Sequence, residues 1–230
     1  MKNFIKNELA GWKPIEIIWF FLCCVIIIGL SVYWGDSLMG IISSTAGIAY
    51  VVCNGKGKLS AYFFGVINSV LYGIISYEAK YYGETMLNIL YYLPMQFVGF
   101  YVWSKNMNDE THEVVKRRMT NKGRIFLTLA IAVTTILYGF LLAYLGDTMP
   151  FVDSFTTVAS VFAMVISVKM LVEQWWLWLA VNTFSVYMWW CDFSQGSDNM
   201  ATLIMWILYL ANAVIMLVKW QGEIDKERLL

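Results

Sequence analysis

Eight apolar runs, each close to the ~20 residues a helix needs to cross a ~30 Å hydrocarbon core, decide what this chain can fold into. They cover approximately Ile17–Trp34, Ser37–Cys53, Ser60–Tyr77, Thr85–Trp103, Ile125–Leu145, Asp153–Leu171, Trp175–Trp190 and Met200–Val218. In lipid a spanning segment must satisfy its own backbone hydrogen bonds, so runs of this length predict helices. Only 14% of the 230 residues are charged, against about 25% in soluble domains. The fold class follows: an all-α polytopic membrane protein with eight transmembrane helices. Met1–Glu16 is polar and the run after it is long enough to span, which predicts no cleaved signal peptide.

Charge placement orients the helices. With eight spans, fifteen of the sixteen Lys and Arg residues fall on one side, from Lys2, Lys6 and Lys13 to Lys226 and Arg228; only Lys80 falls on the other. That other side carries Asp36, Glu78, Glu84, Asp147, Asp192 and Asp198. Miscounting one span would scramble the partition. The positive-inside rule therefore puts both termini in the cytoplasm.

An internal repeat runs through the spans. Asp36-Ser37 opens the second and Asp153-Ser154 the sixth, each placed like a helix N-cap. Tyr92-Leu93 leads to Trp103 as Tyr209-Leu210 leads to Trp220, and the intervals Asp36–Trp103 and Asp153–Trp220 are equal. Asn68 pairs with Asn182. The plan is an N-terminal helix (1–35), a three-helix bundle (36–103), a basic cytoplasmic linker (104–124), a connecting helix (125–145), a second bundle (153–220) and a cytoplasmic tail (221–230). Four spans separate the copies, so they share one orientation, the parallel-repeat arrangement of some transporters.

Inside the spans there are amides where an ion-coupled pump would carry charges. Asp36 and Asp153 lie at the outer boundary; Lys169 and Glu173, at i and i+4, are expected to pair at the inner one. Asn68, Gln96, Asn182 and Asn212 come from four different spans and lie ~10–13 Å in from the basic side at 1.5 Å per residue. Ser43, Ser44, Thr45 and Ser160 are close to that level. Trp175, Trp178 and Asn182 follow at i, i+3 and i+7, one face of one helix. Glue between helices explains one such amide. Four at one depth predict a polar cavity at the repeat interface. Pro94, beside Gln96, cannot donate to the carbonyl of Leu90, so a break is expected there. Tyr72, Tyr92, Tyr187 and Tyr209 divide between core, interfacial belt and cavity.

Other chemistries find no residues. The motifs of hydrolases, zinc peptidases and phosphate-binding loops are absent, so no enzyme is expected. No feature suggests nucleic acid. Cys23, Cys24, Cys53 and Cys191 form no C-x-x-C pair and read as small buried hydrophobes. His112, the single histidine, lies in a charged loop, so neither metal nor cofactor is expected. Lipid surrounds the chain, and its composition is equally compatible with a monomer and a homo-oligomer.

Glu173–Asn182, read as E-x-W-x-x-W-x-x-x-N, resembles the signature of the PnuC family of vitamin transporters. Pro150–Ser154, the run Tyr62–Asn68 and the ending at Trp103 support the likeness, which extends from about Asp36 to Trp220. The resemblance implies a fold similar to the SWEET sugar transporters and carriage of nicotinamide riboside across the bacterial inner membrane, where a kinase traps it. It makes Trp175, Trp178 and Asn182 the motif residues, with Asn68, Gln96, Asn212, Tyr72, Tyr92 and Thr45 as further binding candidates. Gln96 stands where family members carry Asn. A flat pyridinium suits an indole face, and ribose hydroxyls with a carboxamide suit Asn and Gln. The expected mechanism is uniport by rocking of the two bundles, driven by cytosolic phosphorylation. Thiamine or riboflavin as substrate, and a non-transporting scaffold or sensor, are the competing readings.

Overall fold

The structure, a computed structural model, describes residues 2–35, 37–78, 85–146, 149–194 and 200–227. Asp36, Lys80, Glu84, Asp147, Asp198 and Arg228, used above for the charge partition, lie outside the described residues, as do the side chains of Lys2 and Asp192. The chain divides into two compact units, Met1–Val115 and Lys116–Leu230.

In the first unit a short helix α1 (Lys2–Leu9) precedes α2 (Pro14–Tyr33), α3 (Leu38–Lys56) and α4 (Ser60–Glu78). A π-helical turn (Leu87–Tyr92) then runs directly into α5 (Leu93–Ser104). Pro14 starts α2 with the φ a first helical turn requires. Ser37 caps α3 by accepting the Gly40 N–H at 3.1 Å, and Gly57 closes it with a left-handed φ of +80°. Small residues on α3 (Ala46, Gly47, Ala49, Gly55) are buried, which lets neighbouring backbones come close. The α2 helix buries only Cys23, Ile27 and Ser31 and presents the rest of its apolar surface outward, as lipid demands.

The second unit holds α6 (Asn121–Tyr144), α7 (Pro150–Val168), α8 (Gln174–Ser194) and α9 (Met200–Glu227). Consecutive helices pack on one another throughout it. Again the first helix is peripheral, with Ile131 and Gly139 its buried residues, and the next is central, with Ser154, Ala159, Ala163 and Ser167 against its neighbours.

Six helices among the described residues are long and apolar enough to span: Pro14–Tyr33, Leu38–Lys56, Ser60–Glu78, Asn121–Tyr144, Pro150–Val168 and Leu203–Lys226. The fourth expected span is the unbroken helical stretch 85–104, divided by its π turn. The seventh is α8, of 21 residues and so ~31 Å long.

Two local expectations, at Asp153 and at Lys169–Glu173, are corrected. Asp153 does not cap its helix: Pro150 at the first position starts α7 earlier, so Asp153 falls in the first turn, and Ser154 donates instead to the Thr135 carbonyl at 2.7 Å. Lys169 and Glu173 do not pair, because α7 ends at Val168 and Met170 takes a φ of +60°, so i, i+4 spacing has no helix to act on. The break at Pro94 is a widened turn, in which the Leu93 N–H donates to the Asn88 carbonyl five residues back. All four cysteines are free, Cys23 and Cys53 buried and Cys24 and Cys191 partly so.

Glycine sets how closely α4 and α5 approach. A Cβ at Gly99 would lie 2.2 Å from the ring of Tyr62, and that ring is fixed edge-on against the fully buried Trp103. Gly99→Ala is therefore expected to cost about 1–3 kcal/mol, read as a lower unfolding temperature in detergent. An unchanged melting curve would show that α5 can move away freely.

Candidate functional site

The middle helices α4 and α8 start at Ser60 and Gln174, so Asn68 and Asn182 occupy the same position, eight residues along. Their surroundings differ. Asn68 is half-buried, and its Nδ2 donates to the Ser43 carbonyl at 2.9 Å. Asn182 is 4% exposed, and its side-chain amide makes no hydrogen bond with another described residue. An amide left so in an apolar span keeps its full hydrogen-bonding capacity for a ligand or water.

Gln96, 3% exposed, lies on α5 against Gly65 of α4, where a Cβ would fall 2.3 Å from its Oε1. Its amide hydrogen-bonds the Tyr50 side chain, while Oε1 has no partner among the described residues. The buried Tyr62 hydroxyl is likewise unpartnered. Sequence reasoning passed over Tyr50 and Tyr62. The spacings Tyr62-x-x-Gly65 and Gln96-x-x-Gly99 were the available signal, since each pairs a large residue with the gap that admits one from the facing helix. Thr45 is turned back onto its own helix, donating to the Ile41 carbonyl at 2.7 Å. Tyr72 is 38% exposed, and Tyr92, half-buried, lies 5.4 Å from the ring of Tyr91.

In the second unit Asn212 is 2% exposed on α9. The two motif tryptophans separate. Trp175 is 2% exposed and edge-on to Trp220 at 5.6 Å, repeating the Tyr62–Trp103 contact at 5.1 Å in the first unit. Its Nε1–H has no acceptor among the described residues. Trp178, one turn before Asn182, is half-buried. Glu173, which opens the motif, fixes the linker: Oε1 accepts from Arg124 Nε and Nη2 at 3.0 and 2.7 Å, and Oε2 from the Met119 N–H at 3.0 Å.

The candidate residues are thus neutral amides, hydroxyls and aromatic rings. Among the described residues there is no cluster of three or more His, Cys, Asp or Glu that could hold a metal. Polar, uncharged groups inside the helices of a multi-pass membrane protein fit the class of carriers of small polar molecules.

Comparison with known proteins agrees. Residues 37–222 match the family described as nicotinamide mononucleotide transporter. The chain is similar to the nicotinamide riboside transporter PnuC of Neisseria mucosa, at 37% identity over 94% of this chain and 84% of that one. It is similar to that of Haemophilus influenzae at 32% identity over 94% of each. A crystal structure of the vitamin B3 transporter PnuC aligns with a TM-score of 0.84 and 35% identity, covering 97% of this chain and 98% of the other. The chain belongs to this transporter family.

The two equivalent asparagines yield a stability test. Asn68→Leu removes the hydrogen bond that ties α4 to the Ser43 carbonyl of α3, so it is expected to cost about 1 kcal/mol. Asn182→Leu breaks none and is expected to leave the unfolding temperature of the ligand-free protein unchanged or raised. Equal losses in both variants would contradict the assignment of Asn182 as an uncommitted amide.

Proposed function

We propose that the protein is a uniporter for nicotinamide riboside, with cytosolic phosphorylation of the substrate supplying direction. The observation that carries this reading is the uncommitted amide of Asn182 one helical turn from the half-buried indole of Trp178. An indole face attracts a pyridinium cation, and an amide both donates to and accepts from ribose hydroxyls or a carboxamide. Trp175, Gln96, Asn68, Asn212, Tyr72, Tyr92 and Thr45 complete the proposed binding set. The names of the relatives support the same substrate.

The proposed layout has eight spans, with α5 and its π turn as the fourth and α8 as the seventh. Two three-helix bundles (36–103 and 153–220) form a parallel repeat, joined by the linker 104–124 and the connecting helix 125–145. The helix within 1–35 precedes them and the tail 221–230 follows. Both termini face the cytoplasm of the bacterial inner membrane, as the bias of fifteen basic residues to one side supports. The absence of Lys, Arg, Asp and Glu from the proposed binding set favours an uncoupled carrier. It also favours the riboside over the mononucleotide, whose phosphate calls for a cationic partner.

Calorimetry on purified protein with the riboside, the mononucleotide and thiamine tests this order. The riboside is expected to bind tightest, with Trp178→Leu weakening it roughly tenfold and Asn182→Leu by a comparable factor. Tighter binding of thiamine or the mononucleotide would overturn the substrate. Unchanged affinity in both variants would overturn the site.

A further inference from the structure

The second unit carries a cleft that the transport reading does not use. At its basic end a cavity of about 520 Å³ is lined by Arg118, Arg124, Glu173, Trp176, Gln221 and Asp225. A second cavity of about 380 Å³ continues from it, sharing Thr128 and Leu177. Its remaining walls are Ile131, Ala132, Thr135, Ile136 and Phe155, almost wholly apolar. From Arg124 to Ile136 the two extend about 18 Å along α6, close to the ~15 Å depth of one leaflet's hydrocarbon. A charged head compartment leading into an apolar channel one leaflet deep has the profile of a phospholipid.

The charges at the head end leave donors available. Arg124 spends Nε and Nη2 on Glu173, which leaves Nη1 and part of its fork uncommitted. Arg118 is held by Nη2 alone to Asp225 at 2.9 Å, and that carboxylate is 58% exposed. Such an exposed pair is weak and yields easily to a phosphate. The helices α6 and α8 both begin at this end, adding partial positive charge from their first N–H groups. Trp176, 54% exposed at the rim, is the residue type that settles at headgroup depth.

We propose that this cleft binds one anionic phospholipid of the leaflet on the basic side, with its phosphate at Arg118 and Arg124 and one acyl chain along Ile131 and Ile136. The assignment does not depend on which substrate the protein carries. Native mass spectrometry of the delipidated full chain, titrated with phosphatidylglycerol, phosphatidylcholine of the same chains, or inorganic phosphate, tests it. Phosphatidylglycerol is expected to bind at one site per chain, and the double variant Arg118→Gln, Arg124→Gln to weaken it roughly tenfold. Because Arg124→Gln also strips Glu173 of its partner, Ala132→Trp provides an independent arm. It fills the apolar channel from an exposed position on α6 and is expected to weaken lipid binding with the arginines intact. Equal binding of phosphatidylcholine would overturn the proposal. So would inorganic phosphate displacing the lipid at equal concentration, which would make this a free-anion site. Efficient disulfide cross-linking between copies bearing Ile136→Cys would also overturn it, because the channel would then be covered by protein.

Discussion

Hydrocarbon offers no hydrogen bonds, so each polar group in a spanning helix either finds a partner within the protein or stays costly. This constraint sorts the amides. Asn68 is committed to the Ser43 carbonyl and ties α4 to α3. Gln96 is half committed, bonded to Tyr50 with Oε1 unpaired and pressed against Gly65. Asn182, at the position matching Asn68, is committed to no described residue. The fold thus satisfies one of two equivalently placed amides and leaves the other without a described partner.

Charge is handled by a different rule, at the basic ends of the helices. Lys56 is buried at the end of α3 and meets Glu16 at 2.8 Å, Glu113 at 2.9 Å and the Gly11 carbonyl at 2.6 Å. Lys58, fully buried, donates to the carbonyls of Asn7 and His112 at 3.0 and 2.8 Å. These contacts bind the N-terminal segment and the first part of the linker to the α3–α4 turn. In the second unit Glu173 does the same for Met119 and Arg124, and Arg117 exchanges backbone hydrogen bonds with Met170 and Val172. The first part of the basic linker is thus fixed within the first unit and the rest within the second. Buried ions of this kind fix one arrangement and contribute little net stability, because desolvation offsets most of their attraction.

The long apolar helices were legible because lipid imposes a length and a polarity on every crossing segment. The equal placing of Asn68 and Asn182 could be counted from the sequence, as could the break at Pro94. What could not be read were interactions chosen by tertiary contact. Glu173 sits four residues from Lys169, yet pairs with Arg124, 49 positions away. Helix-surface spacing rules hold only inside one helix, and the left-handed turn at Met170 ends that premise. Asp153 resembled a cap until Pro150 set the start of α7. Trp175 and Trp178 share a face by periodicity, but only Trp175 is claimed by a partner ring, because Trp220 returns to it from α9. Tyr50 gave no signal at all, and Tyr62 only through Gly99, the glycine that faces it.

The central claim is that neutral amides and indoles carry the riboside with no ion driving it. Counterflow of labelled nicotinamide riboside into proteoliposomes that lack the kinase, with proton and sodium gradients collapsed by ionophores, tests this most directly. Transient accumulation against an excess of unlabelled riboside inside, undiminished by the ionophores, is the predicted result. Accumulation that requires either gradient, or its absence under every condition, would contradict the account.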